Sequence, residues 1–139
     1  GGRCTALTGK SEEYYDAIRW FAEGTAEYFG NYMAAEIEAR SDYVQTLLES
    51  AYGDLQGEMD QQPLAGAGAY IQAAAIELMV QRGSISLAKV LDGSYYHDCG
   101  YAERFALTTE EVQYIADNVA SLQLIDGEYR FPSSVLQAQ

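Results

Sequence analysis

This chain has few cysteines, few prolines and few positive charges. Two cysteines, Cys4 and Cys99, in 139 residues do not make a disulfide framework. They stand either as one disulfide closing a long loop, worth roughly 4–5 kcal/mol in the chain-entropy model, or as two unrelated thiols. No CxxC pair occurs, so zinc-ribbon and thioredoxin-type readings have no support. There is one histidine, His97, and no GxSxG, HExxH, P-loop or GxGxxG motif. Cys99 lies two positions from His97, but no third group is placed to orient a nucleophile pair. His97 therefore reads as an ordinary loop histidine, and the chain as non-enzymatic. No apolar run approaches the ~18–20 residues of a membrane span. No basic n-region followed by an apolar h-region is present, which favours the cytoplasm over export.

What the chain has is apolar residues and negative charge. Hydrophobic residues make up 48% and charged residues 21%, the composition of a folded domain and not of a disordered chain. Acidic residues outnumber basic ones 21 to 8, a formal net charge of −13. Such a surface repels phosphates and anionic lipid, which excludes direct nucleic-acid binding and membrane insertion as first expectations.

The pattern predicts a mostly α domain of about five helices with a small C-terminal β-hairpin. Residues 1–10 read as an arm, 11–132 as the domain, and 133–139 as a polar, frayed tail. Ser11 is a candidate N-cap with Glu12 and Glu13 behind it. The first helix then carries an apolar stripe of Tyr14, Ile18, Phe21, Ala22, Thr25, Phe29, Tyr32 and Met33, ending around Arg40. Gly24 and Gly30 weaken this helix and suit close packing. A second helix starts at Ser41 or Asp42, buries Val44, Leu47, Leu48 and Ala51, and stops at Gly53. Residues 54–68 read as a loop. A third helix, about Ala69 to Arg82, carries the thin stretch Ala73-Ala74-Ala75 expected of a closely packed central helix. Ser84 caps a short fourth helix ending at Leu91. Thr108-Thr109-Glu110-Glu111 is a capping box opening a fifth helix with Val112, Ile115, Ala116, Val119 and Leu122 inward. Asp126-Gly127 predicts a type I′ hairpin turn. Phe21, Phe29, Leu47, Leu78, Ile115 and Leu122 are the expected deep core.

Four constellations bear on function. Asp92 to Glu103 has the length of an EF-hand loop, with acidic or polar groups at positions 1, 3, 7 and 12. His97 stands where the sharp turn needs glycine, and Tyr96 is a poor ligand, so neither a metal nor a cofactor is expected. The run from Ala102 to Phe131 resembles a winged helix in its order of elements. Its candidate recognition helix carries Glu110, Glu111 and Asp117 without Lys or Arg, the wrong sign for phosphates. Tyr95, Tyr96 and Tyr101 form a second candidate contact surface.

The fourth constellation is the acidic row. Residues 11–60 hold twelve acidic side chains against Arg19 and Arg40 alone. On the first helix, Glu12, Asp16, Glu23 and Glu27 fall on one face at ~100° per residue. Like charges at i, i+4 cost a few tenths of a kcal/mol each. Trp20 is expected to project beside this row as an exposed interface anchor. The functional expectation is a partner-binding surface of Glu12, Asp16, Trp20, Glu23 and Glu27. It would cover a basic protein partner as an inhibitor, competitor or accessory subunit, in one version by DNA mimicry. The alternative is an accessory component of an exported or membrane-peripheral assembly with Cys4 and Cys99 oxidised. The plainest reading of the acidity is solubility, or a salty environment.

Overall fold

The computed structural model describes residues 12–57, 64, 67–96 and 104–137, with the side chains of all of these except 12–17 and 96. Among the described residues, six helices and one hairpin follow in chain order: α1 (Glu12–Ile37), α2 (Tyr43–Leu55), α3 (Ala69–Gln81), α4 (Leu87–Leu91), α5 (Thr109–Val119), β1 (Gln123–Ile125), β2 (Glu128–Arg130) and α6 (Ser133–Leu136). A 3-10 turn, Ser94–Tyr96, lies between α4 and α5. The mostly α core with a C-terminal hairpin is as the pattern predicts. The cysteine pair, His97 and most of the EF-hand-length loop lie outside the described residues.

Helix α3 is the axis of the fold. Ile71 through Leu78 are all buried, because α1, α2 and α5 all pack on this helix. Alanine at 73, 74 and 75 keeps the axis thin enough for neighbours on several sides. Gly24 sets the closest crossing. A Cβ there would stand 2.7 Å from the Gln72 carbonyl oxygen and 2.9 Å from Ile76 Cγ1, inside van der Waals contact, so only glycine lets α1 lie this close to α3.

Several ends are set by local chemistry. At the C-terminus of α1, Ala39 takes a left-handed φ of 55°, and the Arg40 N–H closes back on the Ala35 carbonyl at 2.8 Å, a wrapped helix end. Thr108 Oγ1 accepts from Glu111 N, and Glu111 Oε1 accepts from Thr108 N, the reciprocal box read from the sequence. Hydrogen bonds from the Thr108 N–H and side chain hold the Glu111 carboxyl below its ordinary pKa. In the hairpin, Asp126 and Gly127 have φ of 51° and 81°, and Leu124 pairs with Tyr129 across the antiparallel ladder. Gln45 fastens the hairpin to α2: its Nε2 donates to Tyr129 O at 3.0 Å and its Oε1 accepts from Tyr129 N at 2.8 Å.

Four expectations about elements need correction. Helix α2 does not stop at Gly53 but runs to Leu55, since Gly53 keeps helical backbone and Leu55 gains burial. The cap of α4 is Ser86, whose Oγ accepts from Lys89 N, and not Ser84. Residues 133–136 of the expected tail form α6, held where Arg82 Nε donates to Val135 O at 2.7 Å. Tyr95 is buried and not a contact surface: its ring meets the Phe21 ring edge-on at 4.7 Å.

Candidate docking surface

Helix α1 carries every residue of the expected partner-binding set, and its rotation decides which of them reach solvent. The side chains of Glu12 and Asp16 lie outside the described residues. Trp20 is corrected: it is 0% exposed. Its Nε1 donates to the Phe105 carbonyl at 3.1 Å, and its ring meets Phe21 and Phe105 edge-on. Phe21 in turn stacks on Phe105 at 4.6 Å. The indole thus ties α1 to the segment before α5, satisfying its one donor inside the core as a buried Trp must. It is no interface anchor.

The true inward face of α1 is Ile18, Trp20, Phe21, Gly24, Thr25, Tyr28 and Ala35. It is turned from the expected stripe toward Trp20 and Tyr28, on the side where Gly24 admits α3. Phe29 and Met33 consequently face solvent, at 38% and 39% exposure, and Ile37 is 81% exposed. Phe29 is the one member of the expected deep core that is not buried. The other five are buried.

Glu23 is exposed and Glu27 half-buried on the outer side. Arg19 approaches Glu23 only at 3.9 Å across an exposed i, i+4 spacing, a pair that contributes little. Glu27 Oε2 accepts from Asn31 Nδ2 at 2.6 Å, which fixes its carboxylate. Both carboxylates line an open groove of about 450 Å³ between α1 and the start of α3, with Ala26, Gly30, Ala67, Ala69 and Gln72 as the remaining lining. Small side chains leave that groove room for the stem of a long side chain, with acid at its wall.

Sequence reasoning missed two further polar features. Glu77 is only 5% exposed. Its Oε1 accepts from Tyr28 Oη and its Oε2 from Gln81 Nε2, both at 2.6 Å. Burial pushes the Glu77 carboxyl above its ordinary pKa against the pull of those two donors. Burial and the neighbouring carboxylate keep the Tyr28 hydroxyl protonated. Tyr43 closes the cluster from α2, its ring edge-on to both Tyr28 and Tyr32. With Tyr28 itself at 1% exposure, this is a hydrogen-bonded centre joining three helices. The signal for it was present: Glu77 is the one charged residue in α3. The second feature is a cleft of about 480 Å³ lined by Met79, Arg82, Leu107, Glu110 and Tyr114, among others. Burial lowers the Arg82 pKa there, and its guanidinium lies 6.0 Å from the Tyr114 ring centroid.

At the start of the EF-hand-length loop, Asp92 Oδ1 accepts from Ser94 N at 2.8 Å and from the Ser94 hydroxyl. The carboxylate is engaged in turning the chain, and those bonds lower its pKa. Among the described residues no His, Cys, Asp and Glu cluster of metal-binding size occurs, and no described helix is long and apolar enough to cross a membrane. No family model matches this chain, and no curated protein or solved structure matches it either.

Proposed function

We propose that this chain is a non-enzymatic protein-binding domain that covers a basic surface of a partner protein, as an inhibitor, competitor or accessory subunit. The observation that carries the reading is the groove beside α1, where Glu23 and Glu27 stand over a lining of small residues. A lysine or arginine stem fits along Ala26, Gly30 and Ala69, with its head against the two carboxylates. The long stem loses little by burial there, and the head keeps access to water. The net charge of −13 steers a basic partner toward the surface from a distance, an effect on association rate that salt screens. Docking is favoured over pure DNA mimicry because the outer face of α1 turns apolar beyond Glu27, whereas a phosphate mimic needs its charges to continue.

The test is a titration with an arginine- and lysine-rich peptide followed residue by residue in amide spectra. Shifts concentrated at Glu23, Ala26, Glu27 and Gly30 support the reading. Equal shifts over all acidic surfaces, Glu110 and Glu111 included, would leave the acidity as a solubility trait. A companion measurement on Glu23→Lys/Glu27→Lys reads affinity and melting temperature together. Lost binding with an unchanged or slightly higher melting temperature is the expected result.

A further inference from the structure

The outer face of α1 carries more than charge. Phe29, Met33 and Ile37 recur every four residues, so they lie within about 80° of one another around the helix. All three are exposed. Ala26, Gly30 and Ala34 recur at the same spacing on the adjacent line and are exposed as well. From residue 26 to residue 37 the outward arc therefore consists of a ridge of large apolar side chains beside a furrow of small ones. No charge falls inside it. Glu27 borders the furrow and Glu36 borders the ridge. In a chain with 21 acidic residues, a charge-free outward strip over about three turns is a specific arrangement, and water gains nothing from it.

We infer that this strip receives an amphipathic helix of the partner, apolar along its centre and lined with lysine or arginine on both edges. The inference rests on the acidic-docking reading above and names the shape of the basic segment that docks. Charge selects the occupant. A second copy of this chain would bring Glu27 and Glu36 against their own counterparts on a molecule of net charge −13. A basic amphipathic helix instead sets a cation against each carboxylate while its apolar centre covers Phe29, Met33 and Ile37. The furrow of Ala26, Gly30 and Ala34 lets that helix approach closely, as helix-in-groove recognition requires. It continues into the groove walled by Glu23 and Glu27, which takes one basic side chain from the helix edge.

Two synthetic peptides of identical composition test the inference: leucines and lysines arranged as an apolar stripe with basic edges, and the same residues scrambled. Covering three apolar side chains should make the patterned peptide bind at least about tenfold more tightly than the scrambled one. Phe29→Ser/Ile37→Ser, with its fold checked by circular dichroism, should abolish that preference and leave the weak, salt-sensitive binding common to both peptides. Equal binding of the two peptides to the unaltered protein would overturn the helix inference and leave acidic docking standing. Binding of neither would overturn both. A preference that survives Phe29→Ser/Ile37→Ser would place the site elsewhere and overturn the inference. So would a homodimer in sedimentation that Ile37→Ser dissociates.

Discussion

Helices α3 and the outer half of α1 are both rich in apolar side chains, yet one is sealed and the other is bare. From Ile71 to Leu78, α3 is buried on every side. Over Ala26–Ile37, α1 buries Tyr28 and Ala35 inward and leaves Phe29, Met33 and Ile37 in water. Composition alone does not separate the two. What separates them is the number of neighbours that can approach, and a single glycine governs that for α1. Gly24 brings α3 against one side of the helix, which commits the opposite side to solvent. An apolar residue on α3 therefore stabilises the fold, while one on the outer strip of α1 contributes much less to it.

That contrast is broken most severely by truncating one phenylalanine from each side. Phe21, stacked on Phe105 and edge-on to Tyr95, should lose about 3–5 kcal/mol as Phe21→Ala. Phe29→Ala, on the outer strip where the ring is 38% exposed, should lose under about 1 kcal/mol. Urea unfolding with a common m-value reads the difference. Equal losses would mean that α1 is rotated from the position described.

The crossing itself comes next. Gly24→Ala puts a methyl group 2.7 Å from a backbone oxygen that cannot swing away. Overpacking of about 1–3 kcal/mol outweighs the roughly 1 kcal/mol that alanine adds as a helix former. The variant should melt at a lower temperature than the unaltered protein, and amide exchange in α3 should accelerate along with that in α1.

These cases also mark how far the sequence was legible. Where one or two residues suffice for a structure, the sequence names it. Thr108 with Glu111 gave the cap of α5, Asp126-Gly127 gave the hairpin turn, and Ala73-Ala74-Ala75 gave the thin central helix. The rotation of α1 was not legible, because Trp20, Phe21, Tyr28, Phe29, Tyr32 and Met33 put large side chains around more than half of it. Periodicity then offers several phases of similar quality, and only the tertiary crossing at Gly24 chooses among them. The cost was a misplaced anchor: Trp20 expected outside, with Phe29, Met33 and Ile37 overlooked as the exposed apolar residues. Glu23 and Glu27 survived as outward groups because they lie opposite the expected stripe and still outside the observed inward face.

A smaller effect sharpens the comparison inside the sealed region. Burial raises the Glu77 pKa above the ordinary 4.5, so the folded state holds that proton more firmly than the unfolded chain does. The stabilisation is fully present below about 4.5 and is lost as pH rises through the folded value. Glu77→Gln keeps an acceptor for Tyr28 and removes the charge. The melting-temperature difference, variant minus unaltered protein, should therefore grow more positive from pH 4 to pH 8. A difference that stays flat would show that the carboxylate is paid for in full by Tyr28 and Gln81. Taking the difference cancels the general repulsion of the acidic surface, which both proteins share.

The smallest expected effect isolates the outer strip from the core. Gly30 lies on the same helix as Gly24, but a Cβ built there meets no atom within 4 Å. Gly30→Ala therefore gains helix propensity without a clash, and should stabilise by about 0.5–1 kcal/mol. Its methyl group would stand in the groove beside Glu23 and Glu27, where the partner's basic side chain is proposed to lie. Stability and binding should thus move in opposite directions: a higher melting temperature with weaker affinity for the patterned basic peptide. Gly24→Ala on the inner side should lower stability first and affect binding only as far as the fold suffers. If Gly30→Ala raised the melting temperature and left peptide affinity untouched, the furrow would not be where the occupant sits. The docking surface would then have to be sought along the ridge of Phe29, Met33 and Ile37 alone.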